Sequence, residues 1–235
     1  MRRSIRAEIQ AMGDLLVLAE RLAARRRRDT FPWGRGAVGL GATPVAFCFD
    51  TGCPFSYLVA ERVERRFPTV EWVPVPAAVL RRCDPWSYPR TGRSLREQAE
   101  RRALELRLPL VWPDSFPSAG TAALRVAVYA VRTGAGAAFA LAACRLAFGG
   151  GFDLEDPLNL AEAAAAAGIG LEACLHEAAN AANDAPLEAA ADRLLAQGVS
   201  QLPAFKVGNR WFSGEARLAE VSAWARAPIA ATHRA

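Results

Sequence analysis

The first feature that could do chemistry is a cysteine between an apolar run and a helix signal. Residues 45–49 form an apolar run of buried-strand length, and Cys53 follows after three residues. Pro54 suits the first turn of a helix that continues to about Arg66. Free N–H groups and the helix dipole at such a position favour the thiolate and lower the pKa of a thiol. Cys53 is therefore the candidate nucleophile.

The tetrapeptide Cys53-Pro54-Phe55-Ser56 has dithiol spacing with a hydroxyl at its second end. Because Ser56 stands where a resolving thiol would be, Cys53 can attack a disulfide but cannot close one within the motif. The alternative for such a cysteine is a small buried hydrophobe. We predict a catalytic monothiol site in which Ser56 and Tyr57 offer hydroxyl hydrogen bonds to the thiolate or the substrate.

A second candidate segment lies at residues 198–205, near the C-terminal end of the chain. Pro203 directly opens an apolar strand, a placement natural for a cis X-Pro bond. Such a bond would leave the neighbouring backbone, above all that of Leu202, exposed for a ligand. We predict that Pro203 and Leu202 orient the sulfur of a partner molecule.

The elements that position these residues follow from the apolar pattern. Strands at 45–49 and 70–75 around the first helix make a βαβ unit with parallel strands. Helices then follow one another from about Ser94 to Gln197, punctuated by glycines and prolines. A hairpin at 204–207 and 210–212 turns at Gly208-Asn209 and precedes a helix from about Ala216 to Arg226. The predicted fold class is α/β, with a large all-helical insertion between a βαβ half and a ββα half.

Three units are predicted along the chain. Residues 1–42 form an amphipathic helix and a linker, residues 43–92 and 198–235 form the α/β domain, and residues 93–197 form the inserted helical subdomain. We expect the N-terminal helix to cover the domain or to build a homodimer. The alternative is an anchor on a membrane surface, which Asp14 and Glu20 disfavour.

Composition and charge limit the function classes. The chain has 235 residues, 52% of them hydrophobic, and a net charge of +5 that lies within the first 28 residues. This basic segment lacks the interleaved aromatic residues of a nucleic-acid surface, so we expect no nucleic-acid partner. No apolar run reaches the ~20 residues that a bilayer span needs, and the N-terminal pattern does not fit a secretory signal. We predict a cytoplasmic protein without a membrane partner.

The remaining cysteines have mainly structural interpretations. Cys48 falls in the first strand, and Cys144 and Cys174 fall in helical stretches, so all three are expected to pack in the interior. Cys83 follows the second strand in a loop-like stretch and is an alternative resolving thiol. An odd number of dispersed cysteines also argues against a structural disulfide framework.

Other chemistries find little support in the sequence. His176 and His233 are the only histidines, and no metal-ligand spacing occurs, so we predict no metal. The serine-hydrolase elbow and the phosphate-binding loop are both missing. Arg90 and Arg93, in a predicted loop before the helical block, are candidate ligands for a carboxylate substrate, with solvated loop charge as the alternative.

Taken together, these segments resemble the thioredoxin superfamily. The long helical block is similar to that of the DsbA-like members, and the closest resemblance is to the branch of 2-hydroxychromene-2-carboxylate isomerases and kappa-class glutathione transferases. The resemblance covers about residues 45–226. It rests on the residues of four segments, 49–58, 112–118, 198–205 and 212–218.

The resemblance implies roles for particular residues. Cys53 stands where the isomerases and kappa-class enzymes usually carry the serine that contacts the glutathione sulfur, and Leu202-Pro203 matches the cis-proline beside it. Ala216 stands where the isomerase-like pattern often has an aspartate that binds the amino end of glutathione. The implied cofactor is glutathione or another low-molecular-weight thiol. The implied substrate- or thiol-binding residues are Pro54, Phe55, Tyr57, Leu202, Gly214 and Glu215.

Three functions remain open at this point. The first is a DsbA-like thiol-dependent oxidoreductase, whose partner is a small-molecule thiol or disulfide. The second is a glutathione-dependent isomerase or transferase, in which a thiol adds to an aromatic-derived electrophile and leaves again. The third is a non-catalytic relative that only binds a ligand, which the departures at Ser56 and Ala216 suggest.

Overall fold

A computed structural model describes residues 43–67, 69–81, 86, 88–118 and 120–226. The first half begins with β1 (Val45–Phe49), α1 (Pro54–Arg66) and β2 (Val70–Pro74), followed by the short helix α2 (Ala77–Arg81). The predicted N-terminal helix, the linker, Cys83 and His233 lie outside the described residues.

A block of helices separates this half from the next strand. It contains α3 (Pro89–Leu106), α4 (Thr121–Arg132), α5 (Gly136–Cys144) with a π-helical turn (Arg145–Gly149), α6 (Pro157–Ala166), α7 (Leu171–Ala179), a 3-10 turn (Ala181–Asn183) and α8 (Asp184–Ala196). The chain then forms β3 (Ala204–Val207), β4 (Arg210–Ser213), a 3-10 turn (Glu215–Arg217) and α9 (Leu218–Arg226).

The four strands form one mixed sheet in the order β2-β1-β3-β4. β1 runs parallel to β2, with Val45 opposite Val70, and antiparallel to β3, with Phe47 opposite Phe205. β3 and β4 form the predicted hairpin. The parallel βαβ unit, the helical insertion and the closing ββα unit are thus confirmed.

The centre of the sheet is buried because β1 is apolar at every position. The Phe47 ring lies 5.3 Å from that of Phe205 and packs edge-on against Trp72 at 5.0 Å. Burying one such ring stabilises the fold by about 1.5–3 kcal/mol relative to leaving it exposed. This core fixes the end of β1, from which the chain enters α1.

The helical block begins earlier than predicted, which corrects the assignment of Arg90 and Arg93 to a loop. α3 starts at Pro89, so both arginines belong to its first turns and are exposed. Gly92 weakens the helix signal in the sequence, but the fold requires a glycine there. A Cβ at this position would lie 2.5 Å from the backbone oxygen of Trp86.

The last helix begins slightly later than predicted. Residues Glu215–Arg217 form a 3-10 turn, and α9 starts at Leu218 rather than near Ala216. Within the part of the chain that the structure describes, no helix is both long and apolar enough to span a bilayer.

Candidate functional site

Cys53 occupies the predicted position at the start of α1. It is the N-cap residue, with Pro54 in the first turn behind it, and its N–H donates to the carbonyl oxygen of Asp50 at 3.1 Å. The residue is 5% exposed. Its Sγ lies 3.9 Å from the carbonyl oxygen of Leu202, which is 149 residues away in sequence. The fold therefore brings together the two segments that the sequence analysis selected.

The segment that faces the thiol carries the predicted cis bond, between Leu202 and Pro203. The N–H of Gly214 donates to the carbonyl oxygen of Pro203 at 2.7 Å and ties this loop to the end of β4. Gly214 has a φ of 96°, a conformation that side-chain-bearing residues rarely adopt. A second cis bond, between Phe116 and Pro117, was not predicted.

The two hydroxyls predicted to serve the thiol, those of Ser56 and Tyr57, both make hydrogen bonds with backbone groups. Ser56 Oγ is buried and accepts from the N–H of Asp50 at 3.2 Å. Tyr57 donates to the carbonyl oxygen of Pro109 at 2.8 Å, and burial raises its pKa to about 12. The single O–H of Tyr57 is thus bonded to Pro109, which corrects its predicted bond to the thiolate. Ser56 accepts one bond and keeps an O–H that can donate, so its predicted role stays a prediction.

Glu215, which was predicted to bind a thiol, forms ion pairs within the protein. Its carboxylate is buried and forms ion pairs with Arg62 of α1 and Arg102 of α3. Burial alone would raise the pKa of this carboxyl, yet the hydrogen bonds and charges of Arg102 and Arg62 hold it below its usual value. Two guanidinium groups therefore fix the carboxylate in place, and its contact with a thiol ligand stays a prediction.

Phe55, two residues after Cys53, contacts a cluster of aromatic rings. Its ring stacks on that of Trp86 at 6.2 Å, and Trp86 in turn packs edge-on against Phe116 at 5.0 Å. Trp112 lies 4.8 Å from Phe116. The guanidinium of Arg96 lies 4.7 Å from the Trp112 ring and 4.9 Å from that of Phe116, and it donates to the carbonyl oxygen of Phe116. This aromatic cluster carries one positive charge on its surface.

Asp50 is a buried acid of the site that the sequence analysis missed. Its Oδ1 accepts from the N–H of Gly52 and its Oδ2 from that of Ala77, both at 2.7 Å. Burial raises the pKa of Asp50 to about 6, although both hydrogen bonds lower it. The only local signal was an acidic residue directly after a buried strand. Its partner Ala77 lies beyond β2 and could not be inferred.

A narrow cleft opens beside this acid. Thr51 Oγ1 is fully buried and has no hydrogen-bond partner among the described residues. About 20 Å³ of the cleft is open to a molecule of the size of water, which is too little for a tripeptide thiol. The cleft is lined by Thr51, Gly52, Pro113, Phe116, Ser118, Gly120, Ala147, Phe148, Phe152, Asp153 and Leu154.

Three other cysteines pack in the interior, as predicted. Cys48 lies in β1, Cys144 at the end of α5 and Cys174 in α7, and all three are buried free thiols. Burial raises the pKa of each of them. Among the described residues, no cluster of His, Cys, Asp or Glu has an arrangement that could hold a metal ion.

Comparison with known proteins agrees with this arrangement. Residues 44–223 match a family model described as a DSBA-like thioredoxin domain. A search of curated protein sequences found no match.

Solved structures show the same fold. A 2-hydroxychromene-2-carboxylate isomerase superposes with a TM-score of 0.68 at 19% identity, over 77% of this chain and 93% of the isomerase. A probable DsbA oxidoreductase from Streptomyces coelicolor superposes with a TM-score of 0.64 at 21% identity, over 82% of this chain and 92% of the oxidoreductase. Both the oxidoreductase and the isomerase branches of the predicted resemblance therefore share this architecture.

Proposed function

Because the chain belongs to the family of DSBA-like thioredoxin domains, we propose that it is a thiol-dependent oxidoreductase with Cys53 as its single nucleophilic thiol. The observation that carries the proposal is the placement of Cys53 Sγ, at the start of a 13-residue helix and 3.9 Å from the Leu202 carbonyl oxygen. The helix start favours the thiolate, and the loop before Pro203 offers backbone groups to the partner sulfur.

The reaction that fits a monothiol site is thiol–disulfide exchange in two steps. The Cys53 thiolate attacks one sulfur of a small-molecule disulfide, forms a mixed disulfide with it and releases the other half as a thiolate. A second thiol molecule, as its thiolate, then attacks the substrate sulfur of the mixed disulfide and regenerates the Cys53 thiolate. The net exchange takes in one thiolate and one disulfide and returns one thiolate and one new disulfide, so the sulfur of the entering thiol is oxidised as the sulfur of the released half is reduced.

The co-substrate in this proposal is glutathione or another low-molecular-weight thiol. Because the cleft beside Thr51 has room only for a water-sized group, we place this thiol along Leu202 and Pro203 instead. Ala216 offers no carboxylate to the amino end of glutathione, so backbone contacts carry its recognition. Such chemistry suits the reducing conditions of the cytoplasm, which we propose as the compartment.

The test is turnover of a glutathione mixed disulfide by wild type, Cys53→Ser and a matched control, Cys174→Ala. The control removes a buried thiol from α7. We expect Cys53→Ser to lose at least about 100-fold in kcat/KM, because serine is a far weaker nucleophile at neutral pH. The control should stay near wild type. Undiminished turnover by Cys53→Ser would refute the proposal.

The aromatic cluster favours a second candidate, glutathione-dependent isomerisation or transfer on an aromatic-derived electrophile. Phe55, two residues from the thiol, stacks on Trp86, and Arg96 adds a positive charge to the rings. A ring-bearing anionic substrate would find both a flat apolar surface and a charge partner there. Conversion of 2-hydroxychromene-2-carboxylate in the presence of glutathione, with no net consumption of thiol, would favour this candidate over the oxidoreductase.

The third candidate is a relative that binds a ligand without catalysis. Measuring the rate of Cys53 alkylation at different pH values distinguishes it from the two catalytic candidates. A thiol that titrates well below the ~8.5 of free cysteine supports nucleophilic chemistry. A thiol that titrates normally, together with no turnover in either assay, would favour the binding relative. The homodimer stays a prediction, because it depends on the segment before residue 43.

A further inference from the structure

Glu215 joins three parts of the molecule through one buried carboxylate. Its Oε1 accepts from Arg62 and, at 2.8 Å, from Arg102 Nη2, while its Oε2 accepts from Arg102 Nε at 2.8 Å. The Glu215 side chain is 5% exposed, against 18% for Arg62 and 30% for Arg102. We call this set of three residues the Glu215 bridge. Arg102 binds it as a two-pronged fork, the geometry in which arginine fixes a carboxylate most firmly.

The bridge connects the two sides of the candidate site. Arg62 lies on α1, the helix that begins directly after Cys53, and Arg102 lies on α3, the first long helix of the insertion. Glu215 follows Gly214, whose N–H holds the Pro203 carbonyl oxygen. A continuous path of bonded groups thus runs from the thiol helix through Glu215 to the loop that faces the thiol.

We propose that Glu215 is a positioning residue that sets the distance between the Cys53 thiol and the Leu202–Pro203 loop. This inference rests on the proposed exchange reaction, in which the partner sulfur must lie against that loop while Cys53 attacks it. Gly214 has a φ of 96° and no side chain, so side-chain packing does not fix the position of its backbone. The neighbouring carboxylate supplies the anchor, and an error of about 1 Å in reactive geometry can cost a large rate factor.

The test compares Glu215→Gln with Glu105→Gln. Glu105 is a matched control because it also pairs with Arg102, yet it is 51% exposed and has no bond to the loop. Glutamine keeps the size of the side chain and removes the charge. We expect kcat/KM for the exchange reaction to fall about tenfold or more in Glu215→Gln and to stay within about twofold of wild type in Glu105→Gln. Alkylation of Cys53 by iodoacetamide needs no loop contact, so its rate should stay within about twofold in both variants.

Hydrogen exchange separates positioning from a general loss of stability. The Gly214 amide is bonded to Pro203, whereas amides of β1 report on opening of the whole sheet. We expect the Gly214 amide to exchange about tenfold faster in Glu215→Gln, relative to the β1 amides of the same sample. Equal acceleration at Gly214 and in β1, or no acceleration at Gly214, would overturn the inference.

Two further arms keep the test decisive. If Glu215→Gln does not fold, Arg102→Gln serves instead, because it leaves the carboxylate paired with Arg62 and should give a smaller effect in the same direction. If wild type shows no exchange turnover, the proposed function fails, whereas the Gly214 amide still tests the bridge. If wild type turns over and both Glu215→Gln and Arg102→Gln match it, the bridge fails while the proposed function stands.

Discussion

The buried acid beside the thiol gives the sharpest quantitative prediction. Burial raises the pKa of Asp50 from an ordinary value of 3.8 to about 6. Because the folded protein binds this proton more tightly than the unfolded chain, Asp50 contributes stability that is fully present below the unfolded pKa and is lost as the pH rises through about 6. A rise of about two pKa units at about 1.4 kcal/mol each corresponds to about 3 kcal/mol.

The perturbation is Asp50→Asn, which removes the titration. The amide oxygen of asparagine can accept from only one of the two N–H groups, those of Gly52 and Ala77, and its NH₂ group then faces the other N–H. This mismatch costs about 1–3 kcal/mol, and the cost does not vary with pH. The free energy of unfolding of wild type minus that of the variant should therefore rise by about 2–3 kcal/mol between pH 7.5 and pH 4. Other titrating groups cancel in this difference.

The assay is reversible urea unfolding followed by circular dichroism at pH 7.5, 6, 5 and 4. The matched control is Val63→Ala, a buried substitution in α1 without an ionisable group, whose difference from wild type should not change with pH. If the difference for Asp50→Asn is equally flat, or grows toward high pH, then burial does not govern Asp50 and the reasoning is wrong.

Two other variants test the site directly. Ser56→Cys restores a dithiol motif, so mild oxidation should reduce the intact mass by about two hydrogens through a bond between residues 53 and 56, and Ser56→Ala should show no such loss. An unchanged mass of Ser56→Cys after oxidation would contradict the assignment of residue 56 to the position of a resolving thiol. Tyr57→Phe removes the hydrogen bond to Pro109 and should cost about 0.5–1.5 kcal/mol in unfolding free energy while leaving exchange turnover within about twofold. A tenfold loss of turnover without a loss of stability would instead support the predicted hydrogen bond from the Tyr57 hydroxyl to the thiolate.

Local signals were enough to predict the frame of the site. Pro54 after an apolar strand marked the start of α1 and placed Cys53 at its N-cap, because proline is confined to the first turn of a helix. Pro203 before an apolar strand marked the loop that the thiol faces. Both depend on backbone geometry within a few residues, which a sequence displays directly.

The directions of the polar side chains could not be predicted in the same way. The Tyr57 hydroxyl meets a carbonyl 52 residues away, and the Glu215 carboxylate meets arginines 153 and 113 residues away. Such partners are set by how parts of the chain that are distant in sequence pack together, within the α/β domain for Arg62 and between that domain and the helical block for Arg102 and Pro109. Asp50 carried only a weak local signal for a similar reason, since one of its two backbone partners, Ala77, lies 27 residues away beyond β2.

The chemistry of the site follows from what surrounds each thiol. Burial raises the pKa of Cys48, Cys144 and Cys174, so these groups stay protonated at neutral pH and are poor nucleophiles. Cys53 is buried as well, but it sits at the N-terminus of α1, where free N–H groups favour a thiolate, and its Sγ lies against the Leu202 carbonyl oxygen. Ser56, the position of a resolving thiol in the motif, points its hydroxyl at the Asp50 backbone. The motif therefore holds one thiol and one hydroxyl, and in the exchange reaction that we propose a second thiol molecule completes the cycle.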